Sequence, residues 1–182
     1  GPLAENHTTP EFVNKCRNLR YTTGIGIDFA LKKPVTDIDG IMMLENPAGF
    51  GFCPSNLSPE IAPKGKSLMT FFTPLNISDM KTKESRKKHH QELRSEVLKH
   101  FPEIEENIEF ERALFFDMVD GVECAYDQHV LIRPGNRVPK IDNLWLTGDS
   151  AGGHGSGGDI GHTSVRECYK RIKTELKGRP VS

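Results

Sequence analysis

A glycine-dense stretch at residues 143–159 carries the strongest chemical signal in the sequence. It reads Asn-Leu-Trp-Leu-Thr-Gly-Asp-Ser-Ala-Gly-Gly-His-Gly-Ser-Gly-Gly-Asp, an apolar segment followed by a loop and the start of a helical pattern. Backbone N–H groups at such a junction can bind an anion, and glycine lets a ligand approach the chain closely. Three different chemistries use sequences of this kind, so the neighbouring residues have to separate them.

The first chemistry is ester hydrolysis. Residues 148–152 match Gly-x-Ser-x-Gly, the nucleophile elbow of serine hydrolases, and residues 148–153 resemble a segment of hormone-sensitive-lipase-like esterases. Such enzymes place a histidine and an acid after the serine, yet the histidines that follow Ser150 are His154 and His162, inside the loop and helix themselves. An upstream His-Gly-Gly loop is also absent. A serine esterase fragment with Ser150 as nucleophile stays an alternative.

The second possibility is a dinucleotide fingerprint, and a metal site is a weaker candidate beside it. The third, a cofactor-contact segment, depends on the residues that surround the loop. Residues 153–158 match Gly-x-Gly-x-x-Gly, but a complete fingerprint needs a second strand ending in an acidic residue about 20 positions further on, where this sequence has a helical pattern. His154, Asp159 and His162 could bind a metal in principle. Three mixed ligands in a glycine loop are more typical of solvated surface, and we predict no metal site.

Strand and helix patterns surround this loop. Ile25, Ile27, Phe29 and Leu31 alternate as in a strand with one buried face, which Pro34 ends. Further apolar runs at 40–44, 49–53, 67–73, 110–119 and 144–147 predict strands, and the short connections among the first of them favour antiparallel pairing. A helix capped by Ser78 or Asp79 is expected to run to His100, with an apolar face formed by Leu93, Val97, Leu98 and Phe101.

We therefore predict an α+β fold: a mainly antiparallel or mixed sheet, one packed helix, and a C-terminal helix that starts near Gly158 and ends before Gly178. Residues 1–20 show no clear period and are expected to be a leader, a tag remnant or an arm. Phe71-Phe72 and Phe115-Phe116 each put one ring on either face of a strand. Core packing is the simplest role, and one ring of each pair could line an apolar substrate cavity.

Two motifs in a fixed order carry a family resemblance. Residues 138–149 read Val-Pro-Lys-Ile-Asp-Asn-Leu-Trp-Leu-Thr-Gly-Asp, and Gly-Gly-Asp-Ile-Gly follows at 157–161 before a helix. This segment resembles the C-terminal part of FAD-dependent oxidoreductases of the phytoene-desaturase and flavin amine-oxidase type. Upstream, Ala-Pro-Lys-Gly-Lys-Ser at 62–67 is similar to a segment of their substrate-binding domain. The resemblance covers about residues 21–177.

The resemblance implies that two parts of the chain have different functions. Residues 21–140 would form a substrate-binding α+β domain, and residues 141–178 would form the strand, loop and helix that contact FAD. Gly148 and Asp149 would lie against the ribityl and phosphate part of the flavin. The start of the last helix, formed by Gly157, Gly158, Asp159 and Ile160, would face the flavin ring with its free N–H groups. Asp159 could instead be only the N-cap of that helix.

The resemblance also implies an incomplete site. The amino-terminal strand-helix-strand unit with Gly-x-Gly-x-x-Gly, which binds the adenosine diphosphate half of FAD in this family, is missing from the 182 residues. We expect a partial oxidoreductase, inactive by itself, completed by the rest of the same polypeptide or by a partner chain with the Rossmann unit. Its substrate would be an apolar or amine small molecule, and no catalytic residue can be named. A non-catalytic binding module is a further alternative.

The amino-acid composition bears on which binding partners and which cellular compartment are expected. A net charge of −1 with 36% hydrophobic and 27% charged residues is typical of a globular protein, and the basic residues at 81–88 are interleaved with acidic ones on one predicted helix, so nucleic acid is not expected. No apolar run approaches the roughly 18 residues that a membrane span needs, and membrane-surface contact is not indicated. The four cysteines form no Cys-x-x-Cys pair, which favours free thiols and the cytoplasm.

Overall fold

The structure is a computed structural model that describes residues 5–119, 121–155 and 158–177. It consists of two compact units. The sheet unit is Thr22–Val119, and the loop unit combines Gly1–Tyr21 with Asp120–Ser182. We describe each unit by itself. The division of the chain into substrate-binding and FAD-contacting parts is a functional statement and stays a prediction.

The sheet unit contains one antiparallel sheet, and the α+β class is confirmed. Its strand order is β2-β3-β4-β1-β5, and every pairing is antiparallel. The strands are β1 Thr23–Leu31, β2 Met42–Glu45, β3 Ala48–Phe52, β4 Ser67–Leu75 and β5 Ile108–Phe116. The α-helices of the described chain are α1 Pro10–Arg17, α2 Pro54–Leu57, α3 Lys83–His100, α4 Ile104–Asn107 and α5 Gly158–Lys177; short 3-10 helices cover Pro59–Ile61, Ile77–Met80 and Tyr126–Gln128.

The core of the sheet unit follows the predicted alternation. Ile25, Ile27, Phe29 and Leu31 of the central strand β1 have no exposed surface. Leu93 and Val97 of α3 are equally buried in the same apolar cluster, and Leu98 and Phe101 pack against it. Burial of one such side chain contributes roughly 1.5–3 kcal/mol, so this face is the main source of the unit's stability.

Helix α3 starts later than the sequence suggested. The Thr82 hydroxyl oxygen accepts a hydrogen bond from the Ser85 amide at 3.1 Å and caps the helix. Ser78 and Asp79, the predicted caps, lie in the separate 3-10 helix Ile77–Met80. The 3-10 turn lies directly before Thr82, and the apolar period alone could not distinguish it from the first turn of α3.

The loop unit departs further from the predictions. Pro10–Arg17 forms helix α1, which buries none of its residues and is capped by the Thr9 hydroxyl, which accepts from the Phe12 amide at 3.3 Å. A local cap with proline at the first turn, rather than an apolar period, defines this helix.

The strand predicted at 144–147 does not form. An isolated bridge joins Arg137 and Trp145, and two backbone hydrogen bonds flank it, from the Val138 amide to the Leu144 carbonyl oxygen and from the Leu146 amide to the Asn136 carbonyl oxygen. The Leu146 carbonyl oxygen accepts from the Asn136 side-chain amide at 3.1 Å, so it is bonded to a side chain and not to a further strand residue.

Within the described ranges, no helix combines the length and apolar character that a bilayer crossing requires.

Candidate functional site

Gly148 and Asp149 form a turn whose first position favours glycine. The backbone φ of Gly148 is +117°, in the region that side chains with a Cβ atom rarely adopt. The Ala151 amide donates to the Gly148 carbonyl oxygen at 3.3 Å and closes the turn. The turn sets Asp149 half-buried beside an exposed Ser150. The sequence predicted Asp149 at the end of a strand, and the structure places it in a turn that no strand precedes.

The Asp149 carboxylate is fixed by a second glycine turn. Its Oδ2 atom accepts a hydrogen bond from the Val122 amide at 3.0 Å. Gly121 has a φ of +87°, and a Cβ atom added there would lie 1.6 Å from Asp149 Oδ2. Any larger residue at position 121 would therefore push the carboxylate away. The other oxygen, Oδ1, is 3.4 Å from the Ser150 hydroxyl, a long and weak hydrogen bond that leaves this edge able to accept from a ligand.

Two buried polar side chains support the turn from beneath. Arg133, 3% exposed, donates from Nη1 to the Asp149 carbonyl oxygen and from Nε to the Gln128 carbonyl oxygen at 3.0 Å. Asn136, 2% exposed, donates from Nδ2 to the carbonyl oxygens of Leu146 and Gly152 and to the Ser164 hydroxyl, each within 3.1 Å. Sequence reasoning missed both residues, because single polar side chains buried in a loop leave no periodic signal.

The start of α5 lies next to this turn. A Cβ atom added to Gly161 would be 3.8 Å from the Asp149 amide nitrogen, and one added to Gly153 would be 2.6 Å from the Ile160 carbonyl oxygen. Gly158 and Asp159 are exposed, whereas Ile160 is 2% exposed and anchors the helix. The two halves of the predicted site, except Gly157, which lies outside the described residues, are thus neighbours.

Asp159 does not cap α5. It lies inside the helix, which begins at Gly158, so the N-cap interpretation of this residue is wrong. A carboxylate in the first turn still stabilises a helix through the dipole. The Thr163 hydroxyl donates to the His154 carbonyl oxygen at 2.6 Å and accepts from the His154 amide at 2.8 Å, which fastens the glycine loop to the helix surface.

The geometry gives little support to hydrolysis at Ser150. A nucleophile elbow needs a strand before the serine and a histidine bonded to its hydroxyl. The strand is absent, and among the described residues the Ser150 hydroxyl has a recorded hydrogen bond only to Asp149. For metals, the described part of the chain contains no group of three His, Cys, Asp or Glu side chains placed to hold an ion.

A second surface, the aromatic face, lies in the sheet unit on the side opposite α3. It is formed by Phe50, Phe72 and Phe116, with ring centroids 5.6 Å apart for Phe50 and Phe72 and 6.0 Å apart for Phe72 and Phe116. Gly24 and Gly26 make room for these rings, because a Cβ atom at Gly24 would be 2.3 Å from Phe72 Cζ. The rings are half-buried or, for Phe50, 40% exposed.

The paired phenylalanines divide between two roles. Phe71 is 1% exposed and packs in the core, while its neighbour Phe72 faces the other side. Phe115 lies on the α3 side, with its ring 6.4 Å from the His90 ring, and Phe116 joins the aromatic face. Phe50 was not singled out from the sequence. The alternation of Gly24 and Gly26 with buried isoleucines was the available signal.

Comparisons with known proteins add a fold-level relation. No family model matches the chain, and no curated protein matches it. Among solved structures it is similar to an oxidoreductase from Methanosarcina mazei, with a TM-score of 0.64 and 20% identity over 90% of this chain and 38% of that one. The fold is shared with an oxidoreductase.

A protein from Pyrococcus furiosus aligns at a TM-score of 0.49 and 13% identity, over 98% of this chain and 38% of that one, which is too weak to carry an argument. The chain thus spans 38% of the length of each of these two structures. At such identity the likeness concerns architecture, and function has to be argued from the site.

Proposed function

We propose that the chain supplies the substrate-binding domain and one wall of the flavin site of an FAD-dependent oxidoreductase of the desaturase or amine-oxidase type. The observation that carries the proposal is the Gly148-Asp149 turn lying beside the first turn of α5. The rest of the site would come from the same polypeptide or from a partner chain with a Rossmann unit. The chain shares its fold with an oxidoreductase, of which it covers 38%.

The residues present fit a flavin in three respects. The Asp149 Oδ1 edge can accept hydrogen bonds from ribityl hydroxyls, while its Oδ2 is fixed by the Val122 amide. Gly148 and Gly158 carry no side chain that would keep a ring system away, and a Cβ atom added at either would meet no atom within 4 Å. The first N–H groups of α5, at Gly158, Asp159 and Ile160, can stabilise negative charge on a reduced flavin. The flavin supplies the hydride-accepting ring when bound, and these residues bind and orient it.

The aromatic face is the proposed substrate-contacting surface. Its phenylalanine rings offer apolar contact area, and aromatic ring faces also attract cationic amines. Both substrate classes expected from the family resemblance therefore suit Phe50, Phe72 and Phe116. The polar cluster next to them on the same sheet face, where Arg112 pairs with Asp28 at 2.6 Å, would mark the end of the apolar contact.

Cysteine chemistry suggests where the protein works. All four cysteines, Cys16, Cys53, Cys124 and Cys168, are free thiols, and Cys53 and Cys168 are buried. Burial raises the pKa of the Cys53 thiol to about 11, so it is unreactive at neutral pH. Free thiols are typical of a reducing compartment, and we propose the cytoplasm.

Ligand halves test the proposed function. The purified chain, expected to be colourless, is titrated separately with riboflavin, FAD and ADP by calorimetry. Because the chain would contact only the ribityl and ring half, riboflavin and FAD should bind with similar weak affinity and ADP should not bind. Asp149→Ala should weaken riboflavin binding roughly tenfold, as expected for loss of a charge-assisted hydrogen bond, and its exposed neighbour changed as Ser150→Ala should not.

Two results would count against the proposal. Binding of ADP with the affinity of FAD would place the contact on the wrong half of the cofactor. Covalent labelling of Ser150 by a fluorophosphonate probe would favour the esterase alternative instead.

A further inference from the structure

Arg133 is the most deeply buried charged side chain of the loop unit's described residues, and it has no role in the proposed function so far. It is 3% exposed. Its guanidinium donates to three backbone carbonyl oxygens: Nε to Gln128 at 3.0 Å, Nη2 to Glu123 at 3.4 Å, and Nη1 to Asp149. Nη2 is also 3.9 Å from Cys124 Sγ. Of the carboxylates that the structure describes, none forms an ion pair with it.

This arrangement differs from that of Arg20 in the same unit. Arg20 is half-exposed and pairs with the carboxylates of Glu123 and Asp127 at 2.9 and 2.6 Å, an arrangement that is common on surfaces and contributes little to stability. A buried guanidinium is costly to remove from water, and it is retained where its fixed fork of donors satisfies several acceptors at once. Arg133 meets this condition, since its guanidinium donates to three carbonyl oxygens.

The three carbonyl acceptors belong to the segments that shape the Asp149 carboxylate. Glu123 directly follows Gly121 and Val122, and the Val122 amide donates to Asp149 Oδ2. Gln128 ends the 3-10 helix Tyr126–Gln128, and its side-chain amide donates to the Glu123 carbonyl oxygen at 2.7 Å. Asp149 contributes its own carbonyl. The Arg133 guanidinium thus bonds both the segment after Val122, which binds the Asp149 carboxylate, and the backbone of Asp149 itself.

We propose that Arg133 is a positioning residue that sets the orientation of Asp149 toward the flavin, acting through the Gly148-Asp149 turn. This inference rests on the proposed function for its ligand, but the positioning itself is a property of the chain alone. A lysine cannot make all three bonds. Its ammonium group is a compact point charge, whereas the planar guanidinium presents several N–H donors in a fixed fork that reaches all three carbonyl oxygens. An apolar replacement removes all three bonds.

The experiment compares Arg133→Met and Arg133→Lys with the control Arg137→Met, which changes a half-exposed arginine four residues away. Circular dichroism identifies a temperature at which all three variants are folded. The backbone amide resonances of Gly148, Asp149 and Val122 are then recorded in ¹⁵N-labelled protein without ligand, and riboflavin affinity is measured by titration.

We expect the three amide resonances to move in Arg133→Met, to move less in Arg133→Lys, and to stay in place in Arg137→Met. Riboflavin binding should weaken roughly tenfold in Arg133→Met, with partial recovery in Arg133→Lys. A folded Arg133→Met protein with unchanged resonances and unchanged affinity would overturn the inference. If Arg133 only stabilises the fold, its replacement lowers the melting temperature and changes neither of the other two measurements. If the wild-type chain binds no riboflavin, the proposed function fails, and the amide resonances still decide the role of Arg133.

Discussion

In the sheet unit, β1, β4 and α3 remove apolar side chains from water while strand ladders satisfy the backbone. In the loop unit, residues 121–155 have isolated bridges and turns in place of strands, and the side chains of Arg133, Asn136 and Gln128 add hydrogen bonds to backbone carbonyl oxygens. The first arrangement spreads stability over many similar contacts. The second concentrates it in a few polar residues, each holding several carbonyl groups.

The two units are therefore expected to respond differently to substitution. A hydrophobic core tolerates substitutions that keep the side-chain volume nearly constant. A buried carbonyl oxygen that loses its donor is left unsatisfied, which costs free energy. We therefore expect substitutions in the sheet unit to affect global stability. Substitutions beneath Asp149 should affect the geometry of the candidate site more than overall stability.

The largest effect is expected from Phe71→Ala. Loss of a fully buried ring should lower the free energy of unfolding by about 3–5 kcal/mol. The adjacent change Phe72→Ala removes the same atoms from the half-buried aromatic face and should cost clearly less. Urea unfolding followed by circular dichroism measures both, and Phe71→Leu serves if the alanine variant does not fold. Equal losses for positions 71 and 72 would contradict the assignment of these rings to core and surface.

An intermediate effect is expected from Gly121→Ala. The left-handed backbone at position 121 alone costs about 1–2 kcal/mol for alanine, and the new Cβ atom would also displace Asp149 Oδ2. Riboflavin affinity should fall together with the thermal midpoint. Gly135→Ala is the matched control, because an added Cβ atom there meets no atom within 4 Å. A Gly121→Ala variant with wild-type affinity would separate Asp149 from ligand binding.

The smallest effect concerns acid sensitivity. A hydrogen bond from His100, with lesser contributions from the Asn46 amide and Lys99, lowers the pKa of Glu96, which is 6% exposed on α3. In the unfolded chain Glu96 binds a proton below about pH 4.3, the ordinary glutamate value, and in the folded chain only at lower pH. Its contribution is therefore present above that value and is lost as pH falls through the folded pKa.

The corresponding measurement is the thermal midpoint of wild type and Glu96→Gln between pH 6 and pH 3. The variant should be less stable at pH 6, and the gap should narrow as the pH falls. Asp127→Asn gives the loop-unit counterpart, since a hydrogen bond from Arg20 lowers the pKa of this exposed carboxylate. A constant gap for Glu96→Gln across the range would contradict the proposed coupling to His100.

The two units also differ in how far the sequence predicts them. Ile25, Ile27, Phe29 and Leu31 alternate with a period of two, and Leu93 and Val97 recur with the helical period, so the sheet and α3 follow from side-chain burial alone. The strand predicted at 144–147 has the same apolar composition, yet its pairing stops at the single bridge of Trp145 with Arg137, and the Leu146 carbonyl oxygen accepts from the Asn136 side chain. A contact between residues ten positions apart in a loop has no periodic signature.

The candidate site shows the same limit. Gly148 and Asp149 were identified as a pair because the Gly-Asp motif and its glycine-rich sequel are local. Gly121, Arg133 and Asn136, which hold the pair in place, lie outside the motif and leave no periodic signal in the sequence. The cap role considered for Asp159 was wrong because the start of a helix in a glycine-rich loop is poorly defined by residue type.

The central claim is that the chain's flavin contact is formed by the Gly148-Asp149 turn and the first turn of α5. Titration of the ¹⁵N-labelled chain with FAD, followed by backbone amide chemical shifts, tests it most directly. The account predicts that the amides of Gly148, Asp149, Gly158, Asp159 and Ile160 shift together along one binding curve, while those of β1 and α3 stay in place. Saturating FAD that leaves these five amides unmoved would contradict it.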